Sequence, residues 1–412
     1  MGHDLAAIAD LDAHDKLRHF RDEFQLRDGL IYVDGNSLGA LPRATAARVA
    51  EAVSAEWGEG LITSWLGAEW STAPRRIGDK IASILGALPG EIIASDSTSV
   101  NIFKALTAAV SLRPNRSIIL SESTNFPTDV YMMQGIEAFS AARLRAERVE
   151  PDALLDRLND DVAVLLLTQV HYKSGLVRDM AAVTRRAHEK GVLVVWDLSH
   201  SAGALAVDLN GAEADLAVGC GYKYLNGGPG APAFLFVAER HQAEIRSPLT
   251  GWMGHAEPFA FVDDYRPAAG IRRQLCGTPP ILSLAALDVG IDLMLQADMA
   301  ALERKAGALG DLFIALVEER CAGLGLSLAS PRDSAQRGSH VVFAHPEAYA
   351  IMQALIERGV VGDFRAPDLL RFGFTPLYTR HVDLFDAAES LQEVFASEAH
   401  RDERFQDRLS VT

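Results

Sequence analysis

"VAVLLLTQVHYKSGLVRDMAAVTRRAHEKGVLVVWD", residues 162–197, carries two almost unbroken apolar runs, 162–170 and 192–197, with an amphipathic stretch between them. An apolar run without alternation fits a strand covered on both faces, as in a parallel sheet inside an α/β domain. The intervening 179–191 sets Met180, Val183 and Ala187 at helical spacing and ends on Gly191, a fitting C-cap. Strand, helix and strand in that order make a βαβ unit. Similar runs recur in "SIILSES" (117–123), "ADLAVGCG" (214–221) and "FLFVA" (234–238). The sequence therefore predicts a three-layer α/β/α large domain around a mostly parallel sheet.

At 412 residues the chain is long for one core, so a second, smaller unit is expected. The character changes after residue 280. Residues 281–325 have apolar positions at three-and-four spacing and read as a long helical region. A strand "SHVVFAH" (339–345), a helix "PEAYAIMQALIERG" (346–359) and a closing amphipathic helix over 383–397 then suggest a C-terminal α+β domain. Nearer the start, "PRATAARVAEAVSAEW" (42–57) reads as a helix with Pro42 near its first turn. The expected division is an N-terminal segment 1–45, a large domain 46–295 and a small domain 296–412.

A formal net charge of −16 opposes nucleic acid or an anionic membrane surface as partner, because both require clustered Lys and Arg. A small molecule is the expected partner. No apolar run nears the ~20 residues needed to cross a bilayer, and no basic-then-apolar leader opens the chain, so a cytoplasmic location is expected. Cys220, Cys276 and Cys321 are odd in number and lack metal-type spacing, which points to reduced thiols and no metal site.

Open α/β sheets bind ligands beyond the carboxyl ends of their strands. There, "VLVVWD" ends on Asp197, with His200 three residues later. Asp197 is either a helix-capping acid or a carboxylate for a buried cationic atom, such as the protonated ring nitrogen of pyridoxal phosphate. Lys223 follows the next apolar strand, in "GCGYKYLNGGPGAP" (219–232). A lone lysine in a turn is usually solvated. Here glycines permit close approach, and the strand before it partly desolvates the amine, which favours a nucleophile. Thr98, Ser99, Val100 and Asn101 open a helix, where hydroxyls and free N–H groups serve either as plain caps or as a phosphate cradle. Phe126, beside a proline in "TNFPTD" (124–129), is either core or a stacking ring. Arg371 in "LLRFGFTPLYT" (369–379) wants an anion, either a neighbouring Asp or a substrate carboxylate. A lysine, an acid, a phosphate cradle, a ring-stacking Phe and an arginine together suit an amino acid handled on pyridoxal phosphate.

Seven segments, "YVDGNSLGALP" (32–42), "NFPTD" (125–129), "WDLSHSAGA" (196–204), "GCGYKYLNGGPG" (219–230), "GWMGH" (251–255), "CGTPPI" (276–281) and "RFGFTPLY" (371–378), resemble those of the kynureninases in content and order. The likeness covers nearly the whole chain. It implies the aspartate aminotransferase-like fold of pyridoxal-phosphate enzymes (fold type I, class V), with pyridoxal 5'-phosphate as cofactor. The implied reaction is hydrolytic Cβ–Cγ cleavage of L-kynurenine to anthranilate and L-alanine, a step of tryptophan degradation. By the same resemblance Lys223 would hold the cofactor covalently and Asp197 would pair with its ring nitrogen. Thr98, Ser99 and Tyr222 would bind phosphate, with Tyr222 also a candidate proton donor. Trp252 and Thr278 would reach that phosphate from the neighbouring subunit of a homodimer with a shared active site. Phe126 would stack on the ring, with Asp129, Thr168 and His200 around it. Arg371 would take the substrate carboxylate and Asn36 and Ser37 would lie near the substrate, so segment 1–45 would serve both the substrate site and the small domain.

The N-terminal substrate segment, "GLITSWLGAEW" (60–70), lacks the His and Arg-Pro-Trp signature of animal relatives and is like the bacterial branch; Thr278 stands where animal enzymes have Asn. Kynurenine is therefore expected as a better substrate than its 3-hydroxy derivative, with Trp65 lining the aryl pocket. Rival readings on the same scaffold are a cysteine desulfurase or selenocysteine lyase, an aminotransferase, and a cofactor-binding protein without turnover. The first needs a cysteine on a mobile loop before the small-domain arginine, and residues 326–370 contain none.

Overall fold

The apolar runs pair with one another in a computed structural model that describes residues 4–408. A seven-stranded sheet runs in the order Ile92–Ala94, Phe234–Val237, Leu216–Gly219, Leu193–Asp197, Val162–Thr168, Ile118–Glu122, Arg145–Val149. Only Phe234–Val237 runs antiparallel to its neighbours. Every residue of Val162–Thr168 and Leu193–Asp197 is buried.

Side-chain alternation divides these strands between two cores. Leu165, Leu167, Val194 and Trp196 meet Met180 and Ala187 of the helix Met180–His188 on one face. Val164, Leu166, Leu193 and Val195 meet Ile102, Ala105 and Leu106 of the helix Thr98–Ser111 on the other. Helix, sheet and helix are thus the three layers expected. Both strand ends and the start of Thr98–Ser111 come out at one edge of this sandwich.

The helical region 281–325 is two helices, Ile281–Met294 and Met299–Arg320, with Asp298 capping the second by accepting from the Ala300 N–H. The helix expected over 42–57 begins after Pro42 as Arg43–Glu51 and continues as a π-helix, Ala52–Glu59. Beyond it, an antiparallel sheet of Asp363–Arg365, Leu369–Gly373, His340–Ala344 and Ser327–Leu328 packs with Ala348–Glu357 and His381–Ala396 around Phe313, Phe343 and Phe372. Residues before 45 serve both cores: Leu17, Phe20 and Phe24 join the large one, Ile8 and Val33 the small one. Ile31–Tyr32 pairs in parallel with Val360–Val361. Residues 1–3 and 409–412, the outer ends of the expected segments, lie outside the described residues. Among the described residues no helix is long and apolar enough to cross a membrane.

Candidate active site

Lys223 stands in a turn whose shape depends on glycine. Gly228 and Gly230 have φ of +82° and +74°, a region that side chains other than glycine's rarely enter. The N-terminal loop packs onto the same turn through Gly39, whose N–H donates to Tyr222 O at 2.8 Å. A Cβ at Gly39 would lie 2.3 Å from Lys223 O, so only glycine lets the two loops touch. The Lys223 amine lies 5.7 Å from the Tyr222 ring centroid and 6.0 Å from that of Phe126. Among the described residues it has no hydrogen-bond or ion-pair partner.

A cleft of about 490 Å³ opens beside this amine. It brings together Thr98, Ser99, Phe126, Asp129, Thr168, Asp197, His200, Tyr222 and Lys223. Tyr172, Ser199 and Thr128 line it too and were missed from the sequence. Ser199 carried a usable signal, a hydroxyl two residues after a strand-end acid. Tyr172 sits in the loop after Val162–Thr168, where no periodicity marks it.

Asp197 Oδ1 accepts from the Ser199 N–H at 2.8 Å and the Ser199 hydroxyl at 2.6 Å, which leaves Oδ2 without a hydrogen bond among the described residues. Burial raises its carboxyl above the usual range, against the pull of Ser199 and Lys223. Asp129 is wholly buried, neither oxygen has a hydrogen-bond partner among the described residues, and burial and the nearby Asp197 push it well above the usual range. Burial and the charges of Lys223 and Arg371 push His200 well below its usual value, so its imidazole is neutral, and Nδ1 has no partner among the described residues. Thr168 donates to the Asn125 amide oxygen, and the Asn125 amide donates to Ser121 Oγ at 2.9 Å, fixing the loop that presents Phe126.

These orphaned groups fit pyridoxal phosphate. Asp197 Oδ2 suits a protonated ring nitrogen, a free amine suits the aldehyde, and the first turn of Thr98–Ser111 offers unpaired N–H groups and the Thr98 and Ser99 hydroxyls to a phosphate. Burial raises the Tyr222 phenol, so it stays a proton donor through neutral pH.

The remaining predicted residues lie outside the cleft lining. Arg371 is buried: Nε donates to Asp363 Oδ1 at 2.8 Å, Nη1 to Tyr172 O at 2.6 Å, and Nη2 to Ser37 Oγ at 3.0 Å and to Asp363 Oδ2. Asn36 is buried beside it, and with its amide oxygen facing the guanidinium accepts from Nε at 2.9 Å. Trp65 and Trp252 sit 6.0 Å apart between ring centroids and line a separate apolar groove with Ile62, Leu66, Phe259 and Phe261. Thr278 is exposed and lines neither.

Kynureninase from Burkholderia pseudomallei (strain K96243) is 51% identical over 407 residues, 98% of each chain, and kynureninase from Pseudomonas fluorescens is 48% identical with the same coverage. The chain belongs to the kynureninase family. Residues 302–391 also match the Kynureninase C-terminal domain family. As a kynureninase-family enzyme it hydrolyses kynurenine with pyridoxal phosphate as cofactor. Solved structures share the fold at low identity. A cysteine desulfurase from Thermococcus onnurineus NA1 has a TM-score of 0.78 at 17% identity, covering 92% of this chain and 98% of its own. The cysteine desulfurase CsdA of Escherichia coli has 0.76 at 18%, covering 93% and 99%. Desulfurase chemistry does not follow from that likeness: Cys321, which packs in the core beneath the small-domain sheet, is buried, and burial pushes its thiol up to about 11.

Proposed function

We propose that the cleft beside Lys223 converts L-kynurenine and water to anthranilate and L-alanine, with its residues dividing the work as follows. Lys223 anchors the cofactor and carries the proton at the substrate's Cα. Pyridoxal phosphate, when bound, supplies the electron sink that makes that proton acidic. Asp197, held by Ser199, keeps the cofactor's ring nitrogen protonated. Thr98, Ser99 and Tyr222 would hold the phosphate, and Phe126 would lie against the ring, with Asp129, Thr168 and His200 around it. Tyr222 delivers a proton to the alanine carbon left when the Cβ–Cγ bond breaks. Arg371, steadied by Asp363 and with Asn36 and Ser37 against it, orients the substrate carboxylate. Segment 1–45 thereby belongs to the substrate site, whereas 46–295 bears the cofactor and 296–412 completes the small domain.

We further infer a homodimer. Trp252 and Thr278 lie away from their own chain's cleft, and Trp252 belongs to an exposed apolar groove, an arrangement that suits delivery of both residues to a second copy's phosphate. Cys220, Cys276 and Cys321 are all free thiols, which suits a reducing compartment and so the cytoplasm.

The observation that carries this reading is the meeting of an unpartnered lysine, a buried half-paired Asp197 and a helix N-terminus in one cleft of a kynureninase-family chain. Incubation with L-kynurenine should release fluorescent anthranilate. Lys223→Ala should abolish that release together with the visible band of the lysine-bound cofactor in the resting enzyme. A Lys223→Ala protein that still turns over kynurenine would remove the central amine from the mechanism.

A further inference from the structure

Arg371 is already heavily engaged. A guanidinium has five N–H donors, and four of Arg371's are taken up by Asp363, Ser37 and Tyr172 O. Its side chain is 2% exposed. A bidentate grip on a carboxylate takes two parallel N–H groups, and one remains.

Arg365 lies on the neighbouring strand and shares the same counter-charge. Its Nη2 donates to Asp363 Oδ2 at 2.7 Å and to Ser37 Oγ at 3.4 Å. Nε and Nη1 have no hydrogen bond among the described residues, so three N–H groups are available, and 36% of the side chain is exposed. The charge acts on three side chains that line the cleft, Tyr172, Tyr222 and His200. Two guanidinium groups thus share one carboxylate, Asp363, at the cleft's edge, and the less buried one has the free donors.

We propose that Arg365 is a second substrate-contacting cation, which completes with Arg371 the binding of the substrate's α-carboxylate. This assignment rests on the kynurenine-hydrolysing reading of the cleft. Asp363 is the strut between the two arginines: it aligns both and, while the neighbouring Asp34 is protonated, leaves the pair with surplus positive charge for an incoming anion.

The test uses the holoenzyme and two kinds of readout. In Arg365→Gln the loss on L-kynurenine should fall on KM rather than kcat, by about ten- to hundredfold for a charge-assisted contact, with partial rescue in Arg365→Lys. Independently, titration of the cofactor's visible spectrum should show weaker binding of L-alanine by a similar factor. Binding of ethylamine, which has alanine's amine but no carboxylate, should be unchanged. Arg365→Gln that binds alanine as tightly as the wild type overturns the proposal, as does a variant that weakens alanine and ethylamine alike. Wild-type protein that binds alanine but releases no anthranilate from kynurenine would instead count against the reading of the cleft, and the alanine-to-ethylamine comparison would still decide the role of Arg365.

Discussion

Asp34 sits among Asp363, Ser37, Arg371 and Arg365, with the phenols of Tyr32 and Tyr378 nearby. Burial and the charge of Asp363 push its carboxyl up to about 7, against the pull of Ser37 and the two arginines. Below that pH Asp34 is neutral and the two arginines face one carboxylate. Above it a second negative charge stands beside the arginines proposed to bind the substrate's carboxylate. The substrate's carboxylate therefore binds better to the protonated form. KM for kynurenine should rise roughly three- to tenfold as pH climbs from 6 to 8 (about one unit either side of the shifted pKa), and Asp34→Asn should flatten that rise. Steady-state kinetics across this range give the answer, and an equal rise in the variant would assign the dependence to another group.

At the scale of elements, Asp215 ties the large sheet to the helices on its flank. Its Oδ2 accepts from the Val194 N–H at 2.9 Å and meets His188 Nε2 at 2.8 Å, while Oδ1 meets His241 Nε2 at 2.8 Å and accepts from Arg240 at 2.7 Å. Burial alone would raise this carboxyl, but the hydrogen bonds of His188 and His241 overcome it and hold the group well below the usual range. A folded-state value depressed below the unfolded 3.8 stabilises the protein above about pH 4, and that stabilisation is lost as pH falls through the folded value. Asp215→Asn should cost about 2–4 kcal/mol at neutral pH, because Arg240 loses a buried counter-ion and His188 and His241 lose a carboxylate hydrogen-bond partner. The gap in Tm from wild type should narrow as pH drops below 4. A constant gap from pH 3 to 8 would mean that packing, not charge, is what the substitution removed.

The same element scale explains what could be read from the sequence. Val162–Thr168 and Leu193–Asp197 announce themselves because both faces are covered and every residue is apolar or strand-terminal. Arg145–Val149, at the sheet edge, has the sequence RAERV and an exposed face, and Ile92–Ala94 has three residues; neither offers enough pattern to register. Lys223, Asp197 and the start of Thr98–Ser111 were legible because strand ends and helix starts mark themselves locally. The partner of Arg371 was not legible. Asp363 faces it through antiparallel register, an alignment fixed by a turn and a sheet rather than by any local motif. The choice between neighbouring Asp and substrate carboxylate therefore resolves into a residue that has the first and is proposed to gain the second.

On the scale of the whole molecule, the groove around Trp65 and Trp252 is the feature a single chain leaves unexplained. Leu66 is 82% exposed, Ile62 76% and Phe261 75%, and these side chains surround an apolar hollow of about 1470 Å³. Water against so much clustered apolar surface is unfavourable, and monomers rarely leave such a patch uncovered. A second copy related by a two-fold axis would cover it and carry its own Trp252 and Thr278 toward the first copy's cleft. Leu66→Asp tests this without disturbing the core, because the side chain already projects from the surface. Light scattering should find the wild-type protein dimeric and Leu66→Asp monomeric, while far-UV circular dichroism stays unchanged. The monomer should bind pyridoxal phosphate more weakly, since the phosphate would lose two contacts from across the interface. A Leu66→Asp protein that remains dimeric with wild-type cofactor affinity would move the interface elsewhere. A wild-type monomer with full activity would mean that the cleft is complete within one chain.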